Sequence, residues 1–410
     1  MKKHGKKIVK VILVICLLVL IVDVGFLMYT KNKVDKNKTF FTSNNGYVEY
    51  NNGYYAVGSD NLNKNSVERA SLTRYDSNYK MVNKKVLKTK YNSTYFNIAR
   101  DDKYLLAVGS YEKTKEDNEE NLRTALFVKY DSLGNIVFRK EFQILGNSKF
   151  TKVLVEDDGY IVIGQSIYPN NVLGNEKTGG GIIVKYSKDG KIIWQKNYGG
   201  NKSGVYNDIV RVGDSYYLTG KDASRYGLLV KYSLDGELEK AVSTYGILKT
   251  DTIGFSSIVN KGKYLYVCGA KKLDEEDEYN HDIDGLIVKY DLDLNKKEDV
   301  TFKDDKKGLE RFNKIIVDGN DFVVIGHEAI EDKEKSDDDE LAYNYSGIIA
   351  KYNSKLKLKN SNIYKNDIDN YFTDISIGSN GKYLVGGYSK YKENRYVDFF
   401  VSYDKELSRW

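Results

Sequence analysis

A short apolar strand that closes on glycine recurs along the chain, at Gly58, Gly109, Gly164, Gly220, Gly269, Gly326 and Gly386. A second apolar strand closes on tyrosine, at Tyr75, Tyr130, Tyr186, Tyr232, Tyr290, Tyr352 and Tyr403, usually after a lysine. The two marks define seven units. From each tyrosine to the next glycine the spacing is 34 to 37 residues, whereas from glycine to the following tyrosine it runs from 12 to 26. One half of the unit is therefore rigid, and the other carries a loop of variable length.

The third unit shows the predicted elements. Strand a runs from Phe150 to Val155, Asp157-Asp158-Gly159 makes a turn, and strand b runs from Tyr160 to Gly164. Strand c runs from Gly181 to Tyr186, Lys188-Asp189-Gly190 turns the chain, and strand d covers Lys191 to Tyr198. β-branched and aromatic residues fill the runs, and glycine and aspartate punctuate them. Four strands per unit over seven units predict an all-β fold, a seven-bladed β-propeller spanning residues 44–410. Both faces of the runs are apolar, as sheets packed between neighbours require. Residues 30–43 are a linker, in which Thr39-Phe40-Phe41 is expected to pair with a short last strand (Lys405 to Trp410) and close the ring.

The stretch from Gly181 through Trp194 to Gly200, then Asn207-Asp208-Ile209 and Tyr216 to Gly220, resembles the bacterial seven-bladed β-propeller repeat (SBBP) family. The likeness covers Gly46 to Trp410 and is strongest in units two to four. It implies an extracytoplasmic propeller and no particular chemistry, since one propeller fold hosts many functions. Asp189-Gly190 followed by Trp194 also looks like the docking motif of pyrroloquinoline-quinone-type propellers. Only Phe138 approximates it in another unit, which disfavours quinone-dependent activity.

Ahead of the repeats, Ile8 to Tyr29 is an apolar run broken only by Lys10 and Asp23. A helix over residues 8–29 reaches ~33 Å, enough to cross a bilayer core once. The basic tail, residues 1–7, favours a cytoplasmic N-terminus, which places the propeller outside the membrane. No pair of small residues follows the apolar core, so an uncleaved signal anchor is expected. Charge agrees with this division. The chain has 64 Lys+Arg and 58 Asp+Glu, a formal +6. Residues 1–38 alone hold nine lysines and two aspartates, so the rest is close to neutral and unsuited to nucleic acid. Cys16 lies in the apolar run and leaves Cys268 without an intrachain partner, so no disulfide supports the propeller.

Candidate chemistry is sparse. The residue fourteen before each strand-b glycine is aromatic in units two to seven, namely Tyr95, Phe150, Tyr206, Phe255, Phe312 and Phe372, and Asn44 in the first. These rings open strand a on the loop-rich face, where they would stack on a sugar or peptide. The competing expectation is that they wedge between blades, and their occurrence in nearly every unit favours it. Three b-to-c loops are acidic: Glu112 to Glu120, Lys271 to Asp284 and Glu328 to Glu340. They read either as a rim for cations or basic partners, or as solvated charge. His281 and His327, beside Asp282, Asp284 and Glu328, lack the tight spacing of a metal site, so no metal or cofactor is expected. No serine elbow or phosphate loop is present. The expected function is a membrane-anchored binding or scaffold module for a protein, peptide or glycan. The alternative is a carbohydrate-active hydrolase or lyase using carboxylates at the propeller face.

Overall fold

The computed structural model describes residues 44–409 except 61–66, 114–121, 145, 168–179, 199–203, 223–225, 245–251, 273–282, 303–308, 332–342, 367 and 392–394. The expected membrane run and the expected closing strand at 39–41 lie outside the described residues. Among those described, no helix is long and apolar enough to cross a membrane.

Seven antiparallel sheets follow one another along the chain, each with its strands side by side in sequence order. Their limits are Gly46–Val86, Ser93–Phe142, Asn147–Tyr198, Val205–Thr244, Thr252–Phe302, Arg311–Tyr364 and Asp369–Tyr403, here blades one to seven. Successive a strands pack against one another, and that of blade one touches that of blade seven, so the blades form a closed ring around an axis. The protein is a seven-bladed β-propeller. Among the described residues six blades have four strands and the seventh has three; in place of the expected strand d, Tyr403 makes a single bridge to Arg409. In blades one to six the b and c strands are buried over most of their length, because each is covered by a blade on either side, whereas strand c of blade seven is half-buried from Tyr396 to Phe400.

Both sequence marks have a packing cause. In blades two to six the strand-b glycine lies opposite the strand-a aromatic, as in Tyr206 with Gly220. The next residue of strand a is bulged out of register. The bulge pushes a strand-a carbonyl onto the glycine. A Cβ at Gly220 would stand 1.7 Å from the Val205 oxygen, and one at Gly326 1.7 Å from that of Arg311. In blade seven the residue opposite Phe372 is Gly387 rather than Gly386, because the ladder there is displaced by one residue. The strand-c tyrosine meets the strand-a aromatic edge to face, for example Phe255 and Tyr290 at 6.3 Å and Phe312 and Tyr352 at 6.4 Å. In two blades both residues are tyrosines whose hydroxyls bond, Tyr95 to Tyr130 at 2.6 Å and Tyr206 to Tyr232 at 2.9 Å.

The c-to-d turns are equally regular. Their tight residue has positive φ in every blade: Tyr79, Gly134, Gly190, Gly236, Leu294, Leu356 and Leu407. A left-handed leucine costs ~1–2 kcal/mol, but Leu294, Leu356 and Leu407 are all buried, which offsets that cost. At Gly236 the neighbouring Trp194 fills the space instead, with its ring 2.8 Å from an ideal Cβ. The Trp194 motif is thus a contact between blades. The strand-c lysines also act internally. Lys129 Nζ bonds the Tyr160 hydroxyl of the next blade at 2.8 Å, and that hydroxyl bonds Asp101 at 2.7 Å.

The seam between blades seven and one differs from the others. Five residues before the strand-c tyrosine, blades one to six carry alanine or glycine: Ala70, Ala125, Gly181, Gly227, Gly285 and Gly347. Each glycine faces the aromatic of the following blade, as Gly347 faces Phe372. Blade seven has Asp398 at this position, and blade one has Asn44 in place of the aromatic. The Tyr75 hydroxyl donates to Asp398, and Phe400 packs among Tyr47, Tyr54, Tyr75 and Tyr79. Tyr47 donates to the Leu384 carbonyl at 2.5 Å.

Burial of the Asp398 carboxyl, with a smaller push from Asp60, raises its pKa to about 7. Asp60 is itself paired with Lys84 at 3.4 Å. A carboxyl raised in the folded state contributes stability below its unfolded value, and this is lost as pH rises through the folded value. Asp398→Asn should therefore be more stable than the native protein at about pH 8, by on the order of a few kcal/mol, and melt at a higher temperature. The two proteins should converge near pH 4, in a pH series of thermal melts. Parallel melting curves over that range would refute the assignment.

Candidate binding site in the propeller axis

The bulge in strand a aims two consecutive residues at the axis. The bulged residues Thr151, Asn207, Asn313 and Thr373, with Asn45 at the matching position of blade one, stitch one blade to the next. Asn45, Asn207 and Asn313 donate through Nδ2 to the carbonyls of Tyr95, Phe255 and Phe372 at 2.7, 2.7 and 2.8 Å. Thr151 and Thr373 donate to the carbonyls of Tyr206 and Asn44, both at 2.6 Å. In each pair the acceptor belongs to the strand-a aromatic position of the following blade. The last of these bonds carries the stitch across the seam.

The residues after the bulge form a second ring: Asn97, Lys152, Asp208, Ser257, Lys314 and Asp374 in blades two to seven, with Gly46 in blade one. Together the two rings enclose a polar cavity of about 150 Å³. A wider chamber of about 500 Å³ continues along the a strands of blades four to six, with Lys152, Asp208 and Lys314 at its polar end.

Charges alternate around the second ring. Asp208 accepts from the Ser257 hydroxyl at 2.6 Å and from the backbone N–H groups of Ile258 and Ile209 at 3.2 and 3.0 Å. Lys152 and Lys314 lie 3.4 and 3.8 Å from its oxygens. Burial opposes the Asp208 charge, but the two lysines and these donors outweigh it and hold the pKa at about 2. Burial also opposes the Lys314 charge, and Asp208 and Asp374 overcome it, so its pKa is raised. For Lys152, burial prevails over Asp208 and lowers the pKa.

The residues singled out in the sequence lie elsewhere. Tyr95, Phe150, Tyr206, Phe255, Phe312 and Phe372 are each 0% exposed and wedged between blades, so they have no free surface to offer a ligand. His281 and Asp282 lie outside the described residues. Asp284 and Glu328 are not loop residues; they stand in strands and are buried, at 4% and 1% exposure. Lys365 lies 3.3 Å from Glu328. His327 is likewise in a strand, against the rings of Tyr345 and Tyr371, and burial with some help from Arg311 lowers its pKa to about 4. The described residues bring together no group of three metal-ligating side chains.

No protein-family model matches the chain, and no curated protein matches it. Solved structures with similar backbones include Sqt1 from Chaetomium thermophilum, at 8% identity over 88% of this chain and 97% of that one, with a TM-score of 0.47. A putative 6-phosphogluconolactonase from Bacteroides uniformis shares 12% identity over 88% and 99%, with a TM-score of 0.47. The β-propeller domain of the Trilobed protease from Pyrococcus furiosus, described as having an open velcro topology, shares 9% identity over 90% and 96%, with a TM-score of 0.47. Likenesses this distant carry no argument about chemistry. The propeller assignment rests on the strand order and the closed ring.

Asp208→Asn should expose how much the ring depends on its charges, since it leaves two lysines facing one carboxylate. The expected loss at neutral pH is ~3–5 kcal/mol, the cost of breaking a buried pair. A carboxylate lowered in the folded state contributes stability above its unfolded pKa and loses it as pH falls through the folded one. The deficit of the variant should therefore shrink between about pH 4 and pH 2 in urea unfolding. A variant as stable as the native protein at pH 7 would overturn this view of the ring.

Proposed function

We propose that the protein is a membrane-anchored, extracytoplasmic binding or scaffold module of the SBBP-like kind. On this reading residues 8–29 hold it in the membrane and its loop-rich face recognises a protein, peptide or glycan. One observation carries the reading: the unit varies little in length except between strands b and c, and the strand ends that bear those connections lie on one face of a closed ring. A scaffold of fixed geometry that varies only in one set of loops is the usual construction of a recognition surface. The half-buried Tyr345, Tyr371, Tyr388 and Tyr396 stand at the same end, with centroid spacings of 5.0 to 5.2 Å.

The hydrolase alternative needs a carboxyl that keeps its proton near neutrality and faces a pocket. Asp208, the axial carboxyl with a displaced pKa, moves the other way. Binding is therefore the preferred reading.

Deleting 273–282 and 332–340 should abolish capture of the partner by crosslinking at the cell surface while the thermal melt stays near native. Unchanged capture would sink the rim assignment. Placement has its own test. Ser336→Cys should react with a membrane-impermeant maleimide on intact bacterial cells, whereas the native Cys268 is buried and its thiol pKa is pushed up by that burial. Labelling only after lysis would reverse the proposed orientation.

A further inference from the structure

The axial ring holds two lysines whose carboxylate contacts are all long. Lys152 Nζ is 3.4 Å from Asp208, and Lys314 Nζ is 3.8 Å from Asp208 and 4.0 Å from Asp374. These contacts are longer than the ~2.7–2.9 Å of a charge-assisted bond. The two carboxylates are better supplied. Asp208 already takes a hydroxyl and two backbone N–H groups, and Asp374 takes the N–H groups of Tyr47 and Ile375 at 3.2 and 3.1 Å. The two lysines are thus held only by long contacts, in a cavity also lined by Asp208, Asp374 and the amides of Asn45, Asn97, Asn207 and Asn313. At Lys152, the charge of Lys314 adds to the effect of burial and lowers the pKa further. An anion shared between the two lysines relieves that repulsion.

The surroundings specify what kind of anion. On one side of the lysines the cavity is polar and only about 150 Å³. On the other, the chamber of about 500 Å³ is lined by Val210, Val259, Ile316 and Val317 together with the polar Arg211 and Asn260. Val210, Val259 and Ile316 are only half-buried, so the aliphatic part of this wall is partly uncovered. A polar head site that opens onto an aliphatic wall suits an amphiphile, whereas a fully hydrated oxyanion would leave the wall unused.

We propose that the propeller axis binds a small aliphatic monocarboxylate, with its carboxylate shared by Lys152 and Lys314 and its hydrocarbon chain laid against Val210, Val259 and Ile316. The site is distinct from the loop-rich recognition face and does not depend on it.

The test is calorimetric titration of the full chain in lipid nanodiscs with acetate, butyrate, hexanoate and inorganic phosphate, after subtracting heats from empty discs. Affinity should rise from acetate to hexanoate, by up to roughly fourfold per buried methylene, and phosphate should bind no better than acetate. Lys314→Met should weaken every carboxylate at least about tenfold, the loss expected for a charge-assisted bond. Because that variant disturbs the charged ring, Ile316→Ser provides a gentler check. It should leave acetate unchanged and flatten the dependence on chain length. No binding of hexanoate to the native chain, phosphate bound as tightly as hexanoate, or a chain-length series unaltered by Ile316→Ser would each overturn the proposal.

Discussion

Everything in this propeller depends on how one blade meets the next, and that contact is a large ring pressed onto a very small residue. Phe255 lies on Gly227, Phe312 on Gly285 and Phe372 on Gly347, each fully enclosed. The aromatic supplies the buried area, and the missing side chain lets two sheets approach closely enough to use it. Once this wedge is in place, the bulge beside it turns the next two residues of strand a toward the axis. The stitch of asparagine and threonine bonds and the ring of charges are consequences of the same local kink.

This explains which parts were legible in the sequence. The strand glycines and tyrosines recur because they answer a steric demand repeated in every blade, so a period survives in them. The aromatics at Tyr95, Phe150, Tyr206, Phe255, Phe312 and Phe372 were visible for the same reason, and that regularity was the sign that they pack rather than bind. The charged ring left no such trace. Asn97, Lys152, Asp208, Ser257, Lys314 and Asp374 share a position but no chemistry, and they lie some fifty residues apart. The usable signal was positional, two residues beyond each aromatic, and it needed the bulge to give it meaning. Asp284, Glu328 and His327 were misplaced for a different reason: strand b runs past its glycine and strand c starts early, so the ends of both acidic stretches are sheet.

The axis also shows a division of labour within single strands. Along strand a of blade four, Tyr206 is wedged between blades, Asn207 stitches to blade five, Asp208 enters the charged ring and Val210 lines the wider chamber. Five consecutive positions therefore serve packing, ring closure, electrostatics and cavity shape. A shift of register by one residue would exchange all of these roles at once.

The seam has a consequence for how the molecule is made. Thr373 donates to the carbonyl of Asn44 across 329 residues of sequence, while the other stitches join blades adjacent in the chain. Blades one to six can assemble in order as the polypeptide emerges, each on the last, but the first blade keeps one flank uncovered until the final strands arrive. Closure entropy grows only slowly with loop length, so the long span itself is a modest obstacle. The hazard is time, because a nascent chain carries an open sheet face through nearly the whole of its synthesis. The polar Asn44, standing where every other blade presents a hydrophobic ring, makes that waiting face less prone to capture by another chain.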